Sequence, residues 1–227
     1  MKTQRVLALG GHDFTSRPPD RAVSELMLRL ATERAGGRPR ICILPTASGD
    51  TSEQIGRFYA AFGERPCEPS DLSLFRLGRR PMALSDHLLQ QDLVYACDDD
   101  DGVSGLLAIW EAVGLTEPLQ LAWRRGIVLA GQGAGALCWL EPGLRLVEGN
   151  YRLDDYAGLL WEGTGPPSAV TARRGARAYR VTSTETGVTE TPLPSRFLPA
   201  PAPAALREDI AEYRRLTRMR KKAGWLG

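Results

Sequence analysis

At 227 residues, with 43% hydrophobic and 25% charged side chains, the chain has enough apolar material for one substantial core, which excludes a disordered or fibrous polypeptide. A formal net charge of +2 is too small to mark a nucleic-acid binder, and the longest apolar runs, Ile127 to Ala130 and Ala134 to Leu140, fall well short of a membrane span. Met1 to Arg5 leads into a strand rather than into a signal-peptide core, so the expectation is a cytoplasmic protein with no membrane partner.

Taken in chain order, Arg5 to Leu9 is a short apolar strand ended by Gly10-Gly11. Asp20 to Ala35 follows with apolar residues at helical spacing. Ile41 to Pro45 is a second strand, and Thr46 to Thr51 supplies cap residues for a helix from Ser52 to Phe62. Further strands are predicted at Asp71 to Phe75, Asp92 to Ala96 and Gly126 to Ala130, with helices near Leu84 to Gln90 and Gly102 to Val113. Such alternation predicts an α/β protein, a three-layer sandwich around a mostly parallel sheet that binds ligands at the carboxyl ends of its strands.

After Trp139 the texture changes to short strand-like pieces: Leu144 to Val147, Ala157 to Trp161, Ala169 to Ala172, Ala178 to Thr182 and Val188 to Thr191. Glycine and proline divide them, which predicts a short antiparallel extension of the same domain. Phe197 to Pro203 reads as a stiff connector and Ala204 to Lys222 as a basic helix, giving a domain at 1–198 and an appendage at 199–227. In that helix Arg214, Arg215 and Arg218, with the later Trp225, form a candidate docking face for another protein or a second copy of the chain. Cys42, Cys67, Cys97 and Cys138 lie far apart with no Cys-x-x-Cys pair and only two histidines to help, so they read as reduced, mostly buried thiols with no metal site, and no cofactor motif is present.

The run from Gly126 to Trp139 carries the most chemistry. An apolar strand enters a small-residue turn, Gly131-Gln132-Gly133-Ala134-Gly135, and then a helix, the arrangement by which many hydrolases hold a serine beneath backbone N–H donors. The position where Gly-x-Ser-x-Gly requires the hydroxyl is Gly133.

With Ile43-Leu44-Pro45-Thr46-Ala47-Ser48-Gly49-Asp50 and Leu106-Leu107-Ala108-Ile109-Trp110, this elbow resembles the peptidase E family of serine peptidases. Gly175 to Val181 and Glu190 to Pro194 are similar to that family's closing strands. The resemblance covers most of Val6 to Leu198 and implies the fold of class I glutamine-amidotransferase-like and cyanophycinase-like proteins. It also implies hydrolysis of dipeptides with an amino-terminal aspartate, or action at acidic residues.

Three departures from the family pattern set the functional expectation. Gly133 has no side chain with which to attack a carbonyl. Asp98, Asp99, Asp100 and Asp101 stand where the family has a glycine-rich loop that helps hold the oxyanion, and carboxylates have the wrong sign for that task. No histidine follows His87, and Pro142 to Asp155 reads as a deletion. The expectation is therefore a catalytically inactive pseudoenzyme, a peptide- or protein-binding scaffold using Gln132, Gly133, Ala134, Asp98 to Asp101 and His12. The alternative is a hydrolase of peptide or amide bonds with a rewritten, metal-assisted site. His12 as a base and the aspartates as cation ligands belong to that alternative, against the plainer readings of an inert loop histidine and a helix-capping charge run. His87 reads as a surface residue and Cys138 as packing. Cys97 ends a strand at the crevice, where neighbouring aspartates disfavour its thiolate.

Overall fold

The computed structural model describes residues 2–11, 21–75, 84–97, 102–184 and 187–199. His12, Asp98 to Asp101, Arg214, Arg215, Arg218 and Trp225 lie outside the described residues.

Strands β1 (Arg5–Leu9), β2 (Arg40–Leu44), β3 (Glu68–Asp71), β4 (Leu93–Ala96) and β5 (Val128–Gln132) pair in parallel in the order β1-β5-β4-β2-β3. β7 (Ala157–Glu162) runs antiparallel beside β1, β8 (Ser168–Thr171) antiparallel to β7, and β11 (Ser195–Phe197) parallel to β8, completing eight strands. β6 (Tyr151–Leu153), β9 (Ala178–Thr184) and β10 (Gly187–Pro192) form a separate antiparallel sheet of three.

The central strands are buried because helices cover both faces, and their alternating side chains feed two separate cores. Leu7, Ile41, Ile43, Tyr95, Val128 and Ala130 pack with Leu26, Met27 and Leu30 of α1 (Arg21–Ala35) and with Phe58 and Phe62 of α2 (Ser52–Phe62). Val6, Cys42, Leu44, Val94 and Leu129 join Leu88 of α3 (Leu84–Leu89), Trp110 of α4 (Gly102–Ala112), Leu119 of α5 (Thr116–Arg124) and Trp139, which follows α6 (Ala134–Leu137). The result is the mostly parallel three-layer α/β fold expected from the sequence, with a small antiparallel sheet appended.

Several boundaries differ from the sequence expectation. The strand expected at Asp71 to Phe75 lies instead at Glu68–Asp71, because Glu68 to Asp71 pair in register with Arg40 to Ile43, while Leu72 and Leu74 continue into the core as irregular chain. Leu144 to Val147 is not a strand: Leu146 and Val147 donate backbone N–H groups to the Trp139 carbonyl, folding the segment back on the residue after the elbow. Helix α5 and the short strands β6 and β11 were not anticipated, and Phe197, expected in the connector, is the last residue of β11. Among the described residues no helix is long and apolar enough to cross a membrane.

Trp110 and Trp139 stack with ring centroids 5.8 Å apart, both fully buried, and Trp110 donates its indole N–H to Thr46 Oγ1 at 3.1 Å. This stack joins α4, the short 3-10 turn at Thr46–Ser48 and the elbow into one packed unit. Trp139→Ala is expected to cost about 3–5 kcal/mol of stability, read from the urea midpoint, since the cavity would open beneath the elbow. A loss below about 1 kcal/mol would show that the stack does not hold the elbow.

Candidate active site

The carboxyl ends of β1, β2, β4 and β5 converge on one edge of the sheet. β5 ends at Gln132, the chain turns sharply at Gly133 with φ 53° and ψ −123°, and α6 begins at Ala134. Glycine adopts this left-handed geometry without penalty, whereas a side chain there is strained. The turn is anchored on the neighbouring strand by the Gly133 N–H, which donates to the Leu9 carbonyl at 3.4 Å. It is seated on β4 as well: a Cβ on Gly135 would fall inside contact distance of the Ala96 carbonyl and 2.7 Å from that of Cys97. The tightness of this seat explains the glycine spacing seen in the sequence.

Around the turn, Gln132 is 7% exposed and its Oε1 accepts no hydrogen bond among the described residues. Ser48 Oγ donates to the Pro45 carbonyl at 2.9 Å and accepts from Thr51 Oγ1 at 3.2 Å, and the Cys97 thiol lies 3.9 Å from the same hydroxyl. Asp155 lies at the end of β1. Its carboxylate packs against the Cα of Gly11, and the flanking backbone is tied down by Gly10 N–H to the Ala157 carbonyl and Tyr156 N–H to the Gly11 carbonyl, both at 2.9 Å.

Of the sequence-predicted site residues, Gln132, Gly133 and Ala134 are together at the turn, and the remaining ones fall outside the described residues. The sequence reading did not place Asp155 beside Gly11, because its segment reads as a deletion, although an Asp-Asp pair just ahead of an apolar strand was a visible signal for a turn at the strand ends. His87 corrects the surface expectation: it is half-buried, with Nε2 3.2 Å from Ser70 Oγ and 3.6 Å from the Cys42 thiol, and it packs α3 onto the sheet away from the elbow. All four cysteines are free and buried. Among the described residues no group of three or more His, Cys, Asp or Glu side chains could hold a metal ion.

The backbone geometry is that of a hydrolase elbow, and the comparisons with known proteins decide the family. The model of peptidase family S51 matches residues 6–147, more than half the chain and inclusive of the elbow. The chain belongs to peptidase family S51. This is the peptidase E family that its motifs resemble. A Bacillus subtilis (strain 168) protein named "Uncharacterized peptidase YgaJ" is 31% identical over 235 residues, spanning 86% of this chain and 99% of that protein. A crystal structure of a Listeria monocytogenes EGD-e protein named for peptidase E superposes with a TM-score of 0.45 at 12% identity, covering 85% of this chain and all of that one.

These findings correct the expectation of an inactive scaffold. Three departures from the family pattern pointed to lost activity, whereas the family is a peptidase family and the relative of near-equal length is named a peptidase. Gly133 offers no side chain for nucleophilic attack at the turn of this S51 member.

Burial raises the Cys138 thiol well above its usual range, and its Sγ–H donates to the Gly135 carbonyl at 3.1 Å, which marks it as packing rather than nucleophile. A thiol whose folded value is raised contributes stability that is fully present below its unfolded value, about 8.5, and lost as pH rises toward the folded value. Urea midpoints of the wild type are therefore expected to fall more between pH 8 and pH 10 than those of Cys138→Ala. Equal slopes would remove Cys138 as the cause.

Proposed function

We propose that this S51 member hydrolyses peptide or amide bonds at the Gly133 turn, with water as the attacking group. The observation that carries the reading is the retained elbow, a positive-φ turn between β5 and α6, in a chain whose family is a peptidase family. The substrate carbonyl lies over the turn, at the start of α6. Water adds to the carbonyl carbon, its proton passes to the Asp155 carboxylate, and the tetrahedral species expels the amine, which takes that proton as the C–N bond breaks. Gln132 Oε1 is a buried acceptor beside the turn, suited to an N–H of the substrate.

Magnitude supports a slow enzyme. In serine hydrolases stripped of a triad member, backbone donors and substrate binding alone retain about 10³–10⁴-fold acceleration over water. The sequence has two histidines and none after His87, so a serine placed at position 133 would have no imidazole downstream of the elbow to activate it. The substrate is a peptide, and the aspartyl preference implied by the family resemblance is the first to try. Four buried free thiols support a reducing, cytoplasmic setting for this activity.

Hydrolysis of a panel of aspartyl dipeptides and peptide amides tests the reading. The wild type is expected to turn over slowly and without inhibition by chelator, Asp155→Asn to lose about a hundredfold or more of kcat, and Gly133→Ser to gain little. No wild-type hydrolysis above the buffer rate would overturn it, and so would full activity in Asp155→Asn.

A further inference from the structure

A second concavity lies on the same edge of the sheet as the elbow, at the ends of β8 and β11. It encloses about 680 Å³ and is lined by Thr171, Arg174, Arg177, Leu193, Pro194 and Phe197, among others. β8 is separated from β5 by β7 and β1, so three strand spacings, about 14 Å, lie between this pocket and the elbow. Its volume is in the range of small-molecule sites.

The charge in the pocket is one-sided. Arg174 and Arg177 line it, both exposed, and among the described residues no carboxylate does. Neither guanidinium forms an ion pair within 4.0 Å among the described residues, although the molecule pairs many of its other arginines, including Arg5, Arg34, Arg65 and Arg152. The Arg174 guanidinium instead sits 5.8 Å over the Phe197 ring, and that ring is 46% exposed. Cationic forks beside a half-exposed aromatic ring and a proline-leucine wall favour a ligand that is anionic at one end and flat and apolar at the other.

The walls are also held in place. Leu198 N–H donates to the Thr171 carbonyl at 2.7 Å, Leu193 N–H to the Ala178 carbonyl at 2.8 Å and Arg177 N–H to Asp154 Oδ2 at 3.0 Å. These bonds tie the end of β8 to the chain after β11, the start of β9 to the segment leading into β11, and the loop after β8 to the turn before β7. A ligand therefore meets a site whose backbone needs no ordering on binding.

We propose that this pocket is a binding site, separate from the elbow, for a small organic anion carrying a carboxylate or phosphate on an aromatic body. The bidentate fork of Arg174 and Arg177 holds the anionic group, and Phe197 with Pro192 to Pro194 covers the ring. The site does not depend on hydrolysis at the elbow, and its test reads binding alone.

Calorimetric titration of the full chain at low salt with benzoate, phenyl phosphate, inorganic phosphate and the neutral benzyl alcohol is the experiment. Benzoate or phenyl phosphate is expected to bind saturably at one site, with whichever is tighter identifying the head group, and benzyl alcohol and inorganic phosphate to bind at least about tenfold more weakly. Arg174→Gln with Arg177→Gln is expected to weaken the aromatic anion by about tenfold or more, the scale of one charge-assisted hydrogen bond, with an unchanged thermal midpoint in the absence of ligand. Phe197→Ala provides a second variant that leaves the charge intact and should weaken the aromatic anions but not inorganic phosphate. Absence of saturable binding, or equal affinity in the arginine variants, would overturn the proposal.

Discussion

The close seating of the β5–α6 turn on its neighbours is the constraint on which the site depends. Gly135 brings the α6 backbone against the carbonyls of Ala96 and Cys97, and Gly133 supplies the positive φ that reverses the chain while its N–H reaches Leu9. A Cβ at Gly135 cannot be accommodated without moving β4 or α6. The strand ends of β1, β4 and β5 are thereby locked to one another, and the Trp110–Trp139 stack fixes the turn from below. Rigidity of this kind is what a hydrolytic site requires, since donors must be in place before charge develops.

Much of this was legible in the sequence because it is written in short-range patterns. Apolar runs of four or five residues bounded by glycine or polar residues located β1, β2, β4 and β5 within two residues, helical spacing located α1, and the cap residues Thr46 to Thr51 located α2. What was lost depended on partners distant in the chain. β3 is a strand because Arg40 to Ile43 lie beside it, not because Glu-Pro-Ser-Asp favours extension. β11 is likewise three exposed residues, recruited by Thr171 and its neighbours. The length of α5 is masked in the sequence by Pro118 near its start, a position where proline suits a helix.

The candidate site was legible in part. Gly133 was conspicuous because a pattern has a gap there, and the elbow could be located to the residue. With the Asp98 to Asp101 run and the lack of a histidine after His87, that gap pointed to lost function, an expectation that the peptidase family and the peptidase-named relative do not support. Asp155 could not be placed beside Gly11 from spacing alone. Its approach to Gly11 exists because β7 folds back antiparallel on β1, a pairing of Ala8 with Leu159 that no local pattern encodes. The arginine pocket has the same origin, assembled from the loop after β8 and the segment before β11.

In the proposed reaction water, not a side chain of the protein, attacks the scissile carbonyl. Intact-protein mass measured during turnover of an aspartyl p-nitroanilide tests it directly, because a covalent mechanism leaves an acyl adduct on the chain while water attack leaves none. The account predicts release of p-nitroaniline with the protein mass unchanged at every time point. An aspartyl adduct that forms and decays with turnover, or no release at all, would contradict it.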